Sequence, residues 1–155
     1  MIVPGDMLLP WRSLAELATD HTRKLATVTF GVTSFITERT TDVGRMITSL
    51  QNQTLVKCFN RTEVLPENLE PGTQAMTSAA ATAINVSEYT SLIDMYRNET
   101  QSDSAKISFR DDIAPWVTAG SRYSINTYDI RGEVLDLGTP DNIAYGIEHW
   151  RDYVG

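Results

Sequence analysis

Hydrophobic positions along the chain fall into two spacings. Over residues 11–24, Leu14, Leu17, Ala18 and His21 recur three and four apart, the period of a helix with one buried face. Ser13 suits a cap for a start near Leu14. Residues 25–32 alternate and carry Thr27, Val28, Thr29 and Val32, which predicts a strand. A helix leading into such a strand reads as the second half of a βαβ unit. Residues 43–47 and 55–59, separated by turn residues at 49–53, predict a hairpin. Residues 81–86 predict a strand, with a helix as the competitor because of their alanine density. Tyr89, Leu92, Ile93 and Tyr96 place a helix over 88–97. Phe109, Ile113, Trp116 and Val117 place another, closed by Ala119 and Gly120. A strand over 123–128 and a turn around Gly132 lead to the apolar run Val134, Leu135, Leu137. Thr139 and Pro140 then open a last amphipathic helix through Trp150, with Thr139 as N-cap and Pro140 at the first helical position. With a short strand in the first ten residues, the order is strand, helix, strand, hairpin, strand, helix, helix, strand, strand, helix. That succession predicts an α/β fold: a partial Rossmann-like mixed sheet flanked by helices, with a small antiparallel hairpin insertion.

Length and composition narrow the picture. The 155 residues, 41 % hydrophobic and 21 % charged, suit a single domain with a real core. A formal charge of −7 argues against a general affinity for nucleic acid or anionic membrane, though a local cationic pocket for phosphates stays open. Cys58 is the sole cysteine, so neither an intrachain disulfide nor a cysteine metal cluster is expected. No apolar run is long enough for a signal peptide or a membrane span, and a cytoplasmic location is the simplest expectation.

Candidate chemistry concentrates at two strand ends. Asp136 closes an apolar run just before Gly138, where a strand turns into a helix, and open α/β sheets bind ligands at such carboxyl ends. An ordinary strand-to-helix corner with a turn aspartate fits the same pattern. Asp6 follows Gly5 in the same local arrangement, and a turn residue in a frayed terminus would look alike. His21 needs no more than a helix C-terminus to explain it, and Asp111 and Asp112 suit a helix start without any ligand. The polar stretch 60–72, punctuated by Pro66, Pro71 and Gly72, reads as a loop.

The stretch Gly132-Glu-Val-Leu-Asp136-Leu-Gly138-Thr139-Pro140-Asp141 resembles the Asp-(Ile/Leu)-Gly-Thr-Pro-Glu segment that ends the catalytic domain of sugar-1-phosphate nucleotidyltransferases. Other pieces follow in the family's order. Val3-Pro4-Gly5-Asp6 is similar to its strand ending in Gly-Asp, residues 81–86 to its Ala-x-x-Gly-Ile-Tyr-Val strand, and Ser108-Phe109-Arg-Asp-Asp-Ile113-Ala-Pro115 to its Ser-Phe-x-x-Asp-Ile-Leu-Pro helix. The resemblance covers nearly the whole chain as the C-terminal half of that domain. It implies that Asp6 and Asp136 jointly hold a Mg²⁺ bridging nucleotide and sugar phosphates. A cation that keeps several waters and takes one or two carboxylates plus substrate phosphates suits these residue types. The implied reaction is in-line attack of a sugar-phosphate oxygen on the α-phosphorus of an NTP, with pyrophosphate leaving.

The departures shape the expectation. Nothing in the sequence corresponds to the family's Gly-x-Gly-x-Arg-Leu nucleotide loop. Its Phe-x-Glu-Lys-Pro lysine has only Arg61 nearby as a substitute cation, its strand glycine is Ala83, and its usual aromatic before the metal aspartate is Val134. The expectation is therefore a nucleotidyltransferase-like protein that is incomplete or inactive alone. The alternative is a non-catalytic sugar-nucleotide-binding, assembly or regulatory domain of the same fold. In the family the strand bearing Asp6 has a neighbour that this chain does not supply. An edge left in that way predicts a covering partner, a second copy or a companion chain.

Overall fold

In the computed structural model the chain is described at residues 1–3, 5–34, 45–59, 66–120, 123–132 and 134–154. Five strands make one curled, mixed sheet: β2 (Val28–Thr33), β3 (Arg45–Ser49), β4 (Leu55–Cys58), β5 (Thr73–Ile84) and β6 (Asn126–Asp129), in the order β4-β3-β5-β2-β6. The β2–β6 pair is parallel and the other ladders are antiparallel. The curl brings the two outer strands together. Leu55 N–H donates to the Ile125 carbonyl at 2.8 Å and Thr127 N–H to the Gln53 carbonyl at 2.7 Å. A second, two-stranded ladder pairs β1 (Met7–Leu8) with β7 (Leu135–Asp136). The helices are α1 (Trp11–Arg23), α2 (Val86–Thr100), α3 (Ala114–Thr118) and α4 (Pro140–Val154), with a π-helical segment, Phe109–Ile113, leading into α3. The expected α/β class and element order are both present.

Period-two alternation explains the layers. Val28, Phe30 and Val32 of β2 join Met46, Met76, Leu92, Ile113 and Val117 in one core, where Phe30 stacks on Phe109 at 5.2 Å between ring centroids. Residues between them face the other way. Gly31 lies against α1, where an added Cβ would come within 2.8 Å of Ile130 Cδ1 and 3.0 Å of the Ala81 carbonyl. On that side Leu9, Leu14, Ala79, Ala81, Ile130 and Val134 form a second core. The β2–β5 ladder changes register here: Phe30 pairs with Thr82 but Val32 with Ser78. The extra residues on β5 bulge through Ala80, whose φ of 57° is left-handed and whose N–H is taken by Ser78 Oγ at 3.0 Å.

Several local expectations change. α1 starts at Trp11 with no side-chain cap, and Ser13 instead donates to the Arg131 carbonyl at 3.4 Å. Residues 25–27 stay out of β2 because Leu25 turns left-handed, with φ of 49°, behind the helix end. β5 begins eight residues before the expected strand, and α2 starts two residues before the expected helix. α1 does not complete a βαβ unit, since β1 and β2 lie in different ladders. Residues 43 and 44 of the expected hairpin lie outside the described residues, but β3 and β4 do pair. No helix among the described residues is long and apolar enough to cross a membrane.

Candidate metal centre

Two of the shortest strands make the backbones at the two candidate aspartates neighbours. Met7 lies opposite Asp136 and Leu8 opposite Leu135, and Leu137 N–H donates to the Asp6 carbonyl at 2.7 Å. Residues 131 positions apart in sequence are thus hydrogen-bonded. Asp136 is half-buried, while Asp6 is exposed in the turn with Gly5 just ahead of β1. Asp6 lies opposite Leu137, one register step beyond the paired residues and in the turn ahead of β1.

Each end of this corner is locally fixed. Val134 and Leu135 are buried and anchor β7. Asp136 Oδ1 accepts the Gly138 N–H at 2.8 Å, an Asx turn that orients the carboxylate as the chain turns. Thr139 Oγ1 accepts the Asn142 N–H at 3.2 Å, the cap read from the sequence, and Pro140 opens α4. Asn142, buried one turn on, donates from Nδ2 to the Asp136 carbonyl at 2.6 Å. Gly146 lets α4 lie close over the corner, since a Cβ there would meet Leu8 Cδ1 at 3.0 Å and Leu137 Cδ2 at 3.1 Å.

The donor set fits Mg²⁺ better than a self-contained metal cage. No group of three or more His, Cys, Asp or Glu gathers for a metal among the described residues. Two hard carboxylates that leave the other positions to water and phosphate oxygens match the magnesium pattern. Arg61, the candidate substrate cation, lies outside the described residues. Neither carboxylate lines two cavities found elsewhere. One, of about 230 Å³, opens where β2, β3, β5 and β6 meet, with Gln53, Gln74 and Asp129 on its wall. The other, of about 420 Å³, lies between α1 and the end of α4.

Arg131 lines both cavities, and sequence reasoning passed over it. The available signal was a cation just past the carboxyl end of a strand that proves to be parallel to its neighbour. Beside the second cavity Tyr128 donates to Glu16 at 2.6 Å; burial, reinforced by the Glu16 carboxylate, pushes the phenol up to about 12. Tyr128 is therefore a neutral donor across the physiological range.

The other polar candidates serve the fold. His21 Nδ1 shares a hydrogen bond of 3.0 Å with the buried Thr29 hydroxyl. Asp111 and Asp112 close the π-segment start: Ser108 Oγ donates to Asp111 at 2.9 Å and Ser108 N–H to Asp112 at 2.7 Å. Asp20, buried, is held by Arg23 at 2.6 Å and Lys24 at 2.7 Å. No protein-family model matches the chain, and a search of curated proteins found no match to it.

Proposed function

We propose that this chain is the metal-binding part of a sugar-1-phosphate nucleotidyltransferase-like module, taking a sugar phosphate or nucleotide sugar together with Mg²⁺. Asp6 and Asp136 supply its carboxylate ligands. The observation that supports this reading is the β1–β7 pairing, which sets Asp136 opposite Met7 and hydrogen-bonds Asp6 to Leu137, the sequence neighbours of the two aspartates that the family resemblance selects. The cation, when bound, neutralises and orients phosphate oxygens for in-line transfer. The protein's part is positional. Gly138 N–H fixes one oxygen of Asp136, Asn142 holds its backbone, and α4 presses the corner against Leu8 and Leu137.

A second reading, binding of a sugar nucleotide without turnover, is favoured by the separation of both aspartates from the two cavities. Calorimetric titration with UDP-glucose, with and without Mg²⁺, tests the shared part. Binding should require Mg²⁺ and weaken at least tenfold in Asp136→Asn, whose circular dichroism should match the parent. Binding that ignores both EDTA and the substitution, or no binding by the folded protein, overturns the proposal. Pyrophosphate release from an NTP and a sugar 1-phosphate then separates the two readings.

A further inference from the structure

Helix α4 carries an apolar stripe that the fold does not use. Its buried side is formed by Asn142, Gly146 and Tyr153. Beside that side, Ile143, Ile147, Trp150 and Val154 recur four, three and four residues apart and stay 45, 71, 49 and 53 % exposed. These exposures leave on the order of 400 Å² of apolar side chain in one strip, inside the ~300–600 Å² range where the largest patch of a monomer is often functional.

We propose that this stripe is a two-fold interface between two copies of the chain, with their α4 helices packed antiparallel. The stripe is self-complementary in register. Placing Ile147 of each copy opposite Trp150 of the other also sets Ile143 opposite Val154, so every apolar residue finds an apolar counterpart. Related by a two-fold axis, each flank of one helix meets the same flank of its copy. That flank holds Ala144, small enough for close approach, then Arg151 and, further round, Glu148. Glu148 and Arg151 form no ion pair with another described residue, and Arg151 lies over its own Trp150 ring at 5.6 Å. In the antiparallel register Glu148 of each copy falls about two residues, or ~3 Å, from level with Arg151 of the other, within reach of these side chains. The same register sets Glu148 of each copy one residue from level with Glu148 of the other, so Arg151 offsets that repulsion, and the net charge of −7 on each chain keeps the association weak.

Area decides the strength. Two stripes remove on the order of 800 Å², and the polar rim carries the total toward the ~1,200 Å² at which specific interfaces begin. The expectation is a reversible dimer with dissociation on the order of micromolar.

Sedimentation equilibrium of the full chain from about 1 to 200 µM tests this, with circular dichroism as the folding control. The parent should shift from monomer to dimer across that range. Ile147→Glu, at an exposed position at the centre of the stripe, should remain monomeric throughout. Glu148→Arg and Arg151→Glu should each weaken association several-fold, and the double exchange should restore it. A parent that stays monomeric at every concentration overturns the inference. So does a dimer whose mass ignores Ile147→Glu, which would assign association to another surface, or a double exchange that restores nothing.

Discussion

Replacing Asn142 by alanine removes a side chain that ties α4 to the backbone of Asp136. The Leu137–Asp6 hydrogen bond fixes the alternation of the β1–β7 ladder, so that Met7 and Asp136 form a non-hydrogen-bonded pair and the Asp136 carbonyl turns away from β1. Asn142 Nδ2 meets that carbonyl at 2.6 Å in a buried setting. Truncation leaves the carbonyl without its donor, a loss of about 1–3 kcal/mol. For a chain of this size that lowers Tm by roughly 2–12 °C. Loss of the same anchor should weaken Mg²⁺-dependent UDP-glucose binding about tenfold, the scale seen when an outer partner of a metal ligand is removed. Urea or thermal unfolding followed by circular dichroism, beside calorimetry, reads both effects. Asn142→Asp is the discriminating variant, because it keeps the side-chain shape but turns a carboxylate toward the carbonyl. If Asn142→Asp is as stable as the parent at pH 7, the donor is not what matters and the reasoning fails.

Two further outcomes follow from backbone and titration. Ala80→Gly should be neutral or stabilising by up to ~1 kcal/mol, against the usual loss for glycine in a strand, because φ at Ala80 is left-handed; a loss of 1 kcal/mol or more in urea unfolding would refute the strain. Burial, with help from the amino-terminal charge and against Glu88 and Asp20, holds His21 below its usual value. The unfolded chain then binds the extra proton first, so this contribution is complete above about pH 6.5 and is lost as pH falls toward the folded value. Between pH 8 and 5 the parent should lose more Tm than His21→Gln, and NMR titration of His21 should give a midpoint under 6.5; equal slopes count against it.

Sequence patterns exposed what depends on neighbours in the chain. The Thr139 cap with Pro140, the stripe of α1 and the alternation of Val28, Phe30 and Val32 are local signals, and each has the expected element. What was hidden depends on partners far away. Residues 73–80 carry Thr, Gln, Ser and Ala with Met76 as the single bulky apolar side chain, yet they extend β5, because β3 and β2 flank it for pairing. Ser13 looked like a cap but is claimed by a carbonyl 118 positions away. For the site, both aspartates were visible as turn residues after short apolar runs. The pairing of their strands was not visible in the local pattern, because two-residue strands carry too little of it, and only the resemblance implied that the two aspartates belong together. Asn142 is not singled out by the sequence pattern, and its burial and its hydrogen bond to the Asp136 carbonyl give it a role.

The β1–β7 ladder also sets a timetable. Met7 and Leu8 are made about 130 residues before their strand partner. At typical elongation rates that interval is on the order of 10 s. Throughout it Leu9, destined for the second core, lacks Val134 and Ile130 as neighbours. The curled sheet faces a similar wait for β6, so docking of the first strand and closure of the sheet are late steps of folding during synthesis. A segment kept waiting that long is where chaperone binding or misassembly during translation would concentrate.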